Sequence, residues 1–116
     1  MGLLVEGKWQ AEAGRWADAR GRVQRPDSSL RNWITPDGRP GPSGRGGFKA
    51  EAGRYHLYVA HGCPWAHRTL IYRALKELEG AITVAYAIPG LKDHGWTFAD
   101  DPNFPDCTPD TVNGFT

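Results

Sequence analysis

The chain has 116 residues, 40% hydrophobic and 23% charged, with a formal net charge of +1, which suits one small domain and gives no electrostatic bias toward nucleic acid or acidic lipid. Two cysteines, Cys63 and Cys107, are too few for a disulfide framework, so stability has to come from a core. No apolar run approaches the ~18 residues of a membrane span and the N-terminus lacks a secretory pattern, so the expected compartment is the cytoplasm, with no membrane or nucleic-acid partner.

Met1 and Gly2 open like a myristoylation signal, but Glu6 stands where that signal needs Ser or Thr. The arginines from Arg15 to Arg31 are accompanied by the acids Glu6, Glu12 and Asp18, unlike a transit peptide. Residues 1–53 are rich in Gly and Pro, most of all in "TPDGRPGPSGRGG", Thr35 to Gly47. They read as an extended, looping segment with aromatic islands, in which Trp9, Trp16 and Trp33 anchor the chain onto neighbouring surface.

Residues 54–116 read differently. "YHLYVA" places Tyr55, Leu57 and Val59 on one face of a strand and His56, Tyr58 and Ala60 on the other. After the short "HGC" link, Leu70, Ile71, Ala74, Leu75 and Leu78 mark one face of a helix from about Pro64 to Glu79, with Gly80 as its left-handed stop. "AITVAYAI" gives a second strand, with Ile82, Val84, Tyr86 and Ile88 opposite the small Thr83, Ala85 and Ala87. Strand, helix and strand with such short links predict a right-handed βαβ unit. Beyond Pro89 the chain returns to loop.

The ordered unit is only ~35 residues, below the ~40 at which a domain usually needs help to stand alone. A two-stranded parallel pair also leaves its edges bare. The expectation is therefore the opening portion of a larger protein, truncated at Thr116.

Cys63 falls at the helix start, with Pro64 at the first helical position. Three roles compete for it: core filler, metal ligand and nucleophile. A helix N-terminus carries roughly half a positive charge, which favours thiolate over thiol, and the carboxyl end of a parallel strand is where α/β folds place ligands. Ala66 stands where a dithiol oxidoreductase has its resolving cysteine, so a mixed disulfide at Cys63 passes to an external thiol, the abundant one being glutathione. Cys107, in a Pro-rich loop, is the alternative resolving thiol. His61, Cys63 and His67 offer metal-ligand types but no evident fourth ligand, so no metal is expected.

"FKAEAGRYHLYVAHGCPWAHRTLIYRALKELE", with "RNWITPDGRPGPSGRGGF" before it and "HGWTF" after it, resembles the N-terminal, thioredoxin-like half of the glutathionyl-hydroquinone reductases, also called xi-class glutathione transferases. The resemblance runs from Gln24 to about Asp101. It implies an α/β, thioredoxin-like domain, incomplete here, and an enzyme that reduces glutathionyl-hydroquinones with glutathione as co-substrate. It implies Cys63 as nucleophile, Trp96 in the glutathione site, and Pro64, Trp65, Ala66 and His67 as the supporting motif. Full-length members of the family are homodimers. A general omega-like thiol-transferase and a non-catalytic glutathione-binding remnant are the alternatives. The family's Val-Pro strand start, its Glu-Ser pair and its helical second domain do not occur before Thr116, so an incomplete glutathione site and little activity are expected of this stretch alone.

Overall fold

The computed structural model describes residues 3–10, 17–24, 27–90 and 95–114. The expected anchor Trp16 lies outside them. Strands β1 (Leu3–Val5) and β2 (Lys8–Gln10) form an antiparallel hairpin. Its two turn residues, Glu6 and Gly7, have φ of +50° and +76°, the pair of positive angles that a tight two-residue hairpin turn requires. A second antiparallel contact joins Ala17 to Val23. Asp18 closes it by accepting the backbone N–H groups of Arg22 (3.0 Å) and Arg20 (2.9 Å), and these bonds, the Arg22 one foremost, hold its carboxyl below the usual range.

The Gly/Pro-rich stretch is not uniformly loop. Strands β3 (Trp33–Thr35) and β4 (Gly47–Lys49) pair in parallel, Trp33 opposite Gly47. The intervening loop folds tightly over them. A Cβ built on Gly47 would lie 2.1 Å from the Arg39 carbonyl oxygen, and one on Gly41 would lie 2.3 Å from the Trp33 indole. Some of these glycines therefore serve close packing rather than looseness.

The expected strand, helix and strand are present as β5 (Tyr55–Val59), α1 (Pro64–Leu75) and β6 (Ile82–Tyr86). The two strands run parallel, from Tyr55 opposite Ile82 to Val59 opposite Tyr86. Of the small-residue face, Ala85 and, just beyond β6, Ala87 are buried, while Thr83 is exposed.

Two expectations about α1 need correction. The helix stops at Leu75, and Glu77, at φ +53°, is its left-handed residue, while Gly80 has no positive φ. Glu77 N–H donates to the Ala74 carbonyl (3.0 Å) and Leu78 N–H to that of Arg73 (2.9 Å), the paired bonds of a Schellman closure. Arg73 reinforces the end by donating to the carbonyls of Ile82 (2.7 Å) and Glu79 (3.0 Å). The buried face differs too: Ala66, Leu70 and Arg73 are half-buried, whereas Ile71, Ala74, Leu75 and Leu78 are exposed. Two strands ~5 Å apart cover only a strip of a helix ~10 Å across, so one row at i, i+4, i+7 meets the sheet.

Residues 95–114 pass beside β6. Tyr86, whose ladder neighbour is Val59, turns its N–H and carbonyl outward to the Oγ1 (2.9 Å) and N–H (3.0 Å) of Thr108. That covers part of an edge expected to be bare. The apolar core is Val59, Ala60, Ala85, Ala87, Ile88 and Cys107.

Candidate active site around Cys63

The link from β5 to α1 is short because the Cys63 N–H donates to the Ala60 carbonyl (3.0 Å), turning the chain at once into the helix. Cys63 is the N-cap residue, with extended φ −94° and ψ 111°, and its carbonyl accepts the His67 N–H (3.0 Å). Pro64 takes the first helical position, as its sequence context predicts. The thiol makes no capping hydrogen bond, belongs to no disulfide and is half-buried. It sits at the positive end of the helix axis, with no acidic side chain in the first turn.

Cys63 opens onto a pocket of about 130 Å³ lined by Tyr58, Val59, Ala60, Ala66, Ala87, Trp96 and Phe98. The lining is predominantly apolar and aromatic, a surface suited to the apolar part of a bound thioether or thiol. Trp96, 45% exposed, reaches the site because the Ile88 N–H holds the neighbouring Thr97 carbonyl at 2.9 Å. Cys63, Ala66 and Trp96 of the expected set thus share one cavity.

Trp65 and His67 do not line that cavity. Both are exposed, and Arg68 places its guanidinium 4.6 Å over the Trp65 ring, a cation–π contact along the helix surface. His61 stacks on Tyr86 with ring centroids 4.6 Å apart and approaches the Asp106 carbonyl at 3.4 Å. Among the described residues, no three His, Cys, Asp or Glu side chains converge as a metal site would need. Cys107 is buried and donates its S–H to the Ala87 carbonyl (3.2 Å).

Tyr58, Phe98 and Asp110 belong to the site's surroundings and were not singled out from sequence. Tyr58 donates to Asp110 Oδ1 at 2.9 Å and packs edge-to-face on Phe98, centroids 5.3 Å apart. Its hydroxyl is held un-ionised beyond the usual tyrosine range, first by burial of the hydroxyl and then by the Asp110 carboxylate. The alternating pattern of β5 puts Tyr58 on a face but says nothing of a partner 52 residues away.

No protein-family model matches the chain. Among curated proteins it is 51% identical over 115 residues to the glutathionyl-hydroquinone reductase YqjG of Escherichia coli, covering 97% of this chain and 34% of that protein. It is 40% identical over 117 residues to the glutathionyl-hydroquinone reductase PcpF of Sphingobium chlorophenolicum, covering 98% and 32%. The chain therefore spans about a third of the length of these relatives. Among solved structures, the glutathione-bound form of the E. coli protein superposes with a TM-score of 0.64 at 57% identity, over 72% of this chain and 27% of that one. A xi-class glutathione transferase of Natrialba magadii gives 0.67 at 38% identity, over 98% and 30%.

Proposed function

From the chain's correspondence, in sequence and fold, to the N-terminal portion of the xi-class glutathione transferases, the glutathionyl-hydroquinone reductases, we propose that Cys63 is the nucleophile of a glutathione-dependent reductase of glutathionyl-hydroquinones. The observation that carries this reading is the placement of Cys63 as the N-cap before Pro64, with its thiol uncommitted and facing the pocket that Trp96 helps to line. Trp96 is the surface against which the glutathionyl group packs. Pro64 and Ala66 shape the turn and the floor beneath it, and Trp65 and His67 support the motif from outside the cavity. The protein acts in the cytoplasm, needs no metal, and takes glutathione as co-substrate.

In the reaction, the Cys63 thiolate attacks the glutathionyl sulfur of the thioether. The bond from that sulfur to the ring carbon breaks, its electron pair stays on the ring, and the ring takes a proton to become free hydroquinone. Cys63 is left as a mixed disulfide with glutathione. A second glutathione thiolate attacks the glutathione sulfur of that disulfide, leaves as oxidised glutathione and returns Cys63 to the thiolate. Because Ala66 stands where an internal resolving thiol would be, this second step belongs to the external thiol.

The chain spans about a third of its relatives' length, so these 116 residues by themselves should show little or no steady-state turnover, and the attack by Cys63 is read in a single turnover instead. The test is a single-turnover experiment with the reduced chain and a glutathionyl-hydroquinone in the absence of free glutathione. Hydroquinone release matched by a glutathione adduct on Cys63, and neither with Cys63→Ser, is the expected result. Failure of the wild-type chain to form that adduct overturns the proposal.

A further inference from the structure

We propose that Asp110 is a positioning residue for the Cys63 site, acting through Tyr58 to hold the aromatic wall of the pocket. Asp110 is the buried charged side chain among the described residues, 5% exposed in a molecule whose apolar core is small. A carboxylate in such a place needs strong donors. Its Oδ1 receives the Tyr58 hydroxyl (2.9 Å) and the N–H groups of Val112 (2.9 Å) and Asn113 (3.1 Å). Asn113 Nδ2 closes the arrangement by donating to the Tyr58 oxygen at 2.6 Å.

The two backbone bonds tie Asp110 into its own turn. The Tyr58 bond reaches across the fold. Tyr58 lies on β5, five positions before Cys63, and the residue is 43% exposed, so it is not a core filler that packing alone would immobilise. Its ring meets Phe98 edge-to-face at 5.3 Å and His56 at 4.7 Å. Tyr58, Phe98, Trp96 and Cys63 line one cavity. A half-exposed phenol bonded at its far end has few rotamers left, and the Phe98 ring that leans on it is fixed with it. Asp110 thereby sets the shape of the pocket without touching what enters it, and the wall it holds selects aromatic over small polar electrophiles at Cys63.

This inference rests on Cys63 being the reacting group, and its test separates the two ideas. The intact chain and its Asp110→Ala, Asp110→Asn and Tyr58→Phe variants are treated with N-phenylmaleimide and with iodoacetamide, and modification of the Cys63 peptide is followed by mass spectrometry so that Cys107 does not contribute. The wild-type iodoacetamide rate, against a free small-molecule thiol, reports whether Cys63 is reactive. The ratio of the two reagents' rates reports the wall. In Asp110→Ala and Tyr58→Phe the ratio should fall roughly three- to tenfold, the effect that loss of a single hydrogen bond allows. Asp110→Asn keeps the Oδ1 acceptor and should restore most of it. A double Asp110→Ala, Tyr58→Phe variant should be no worse than either alone. Should Asp110→Ala unfold, Tyr58→Phe, which keeps the ring, carries the comparison. An unchanged ratio in a folded Tyr58→Phe chain overturns the proposal, as does an equal fall in both rates.

Discussion

Tyr58 is the residue at which stability and the site meet, and its chemistry makes a pH prediction. Its folded-state value is raised above the ordinary tyrosine value of 10.0 by burial of the hydroxyl and by the hydrogen bond to Asp110. A group shifted this way stabilises the fold fully below its unfolded value, and that stabilisation is lost as pH rises through the raised folded value. Ionised Tyr58 would have no proton to give Asp110 and would repel its charge. Urea unfolding of wild type and Tyr58→Phe from neutral to strongly alkaline pH should therefore show a stability difference that is flat up to about pH 10 and shrinks above it. A difference that grows with pH would mean that the hydroxyl is not held in its neutral form by the fold.

At the scale of elements, the end of α1 offers the sharpest test of how local backbone chemistry shapes the fold. The periodic run from Pro64 and the glycine at position 80 together suggest a longer helix, because a glycine is the usual left-handed closer. The chain instead closes one residue pair beyond Leu75, with Glu77 in the left-handed region. A side chain with a Cβ is disfavoured there by about 1 kcal/mol, and the closure is tolerated because Glu77 and Leu78 N–H groups satisfy the Ala74 and Arg73 carbonyls while Arg73 bonds onward to Ile82. Glu77→Gly should accordingly raise stability by up to about 1 kcal/mol, less what a glycine adds to the entropy of the unfolded chain. Gly80→Ala should be neutral or slightly stabilising, since its Cβ meets nothing within 4 Å and its φ is not positive. Chemical denaturation of the two variants decides between closures: a clear loss for Gly80→Ala would move the stop back to the glycine.

Across the whole molecule, what could be read in the sequence follows the range of the interactions involved. β5 and β6 were legible because five-residue alternations such as Tyr55, Leu57, Val59 are local patterns. The position of Cys63 at the start of α1 was legible because Pro64 follows it, whereas Trp96 was singled out only through the resemblance of its surroundings; both line one cavity. The β3 and β4 strands were not, since three residues show no period and the Trp33–Gly47 pairing spans a glycine-rich loop whose packing no local rule describes. The Tyr58–Asp110 bond was hidden for the same reason, being made by two residues far apart in the chain.

Burial followed yet another rule, set by how little sheet is available to cover the helix. Apolar periodicity names a face of α1, but Leu75 remains 72% exposed while Ile88, two residues beyond β6, is buried with Val59 and the alanines. Energetics should divide the same way. Ile88→Ala removes buried methylene groups from a core with few large side chains and should cost about 2–5 kcal/mol, a large part of the stability that a small domain has to lose. Leu75→Ala, on the same chain, should change stability by no more than about 0.5 kcal/mol, as surface substitutions do. The two midpoints in urea make the comparison directly. If Leu75→Ala proved the costlier, the apolar stripe of α1 would be covered in solution and the core would lie on the helix's other side; if Ile88→Ala does, the stability of this fold is concentrated where β5, β6 and the strand-capping segment around Thr108 meet, next to the pocket that Cys63 faces.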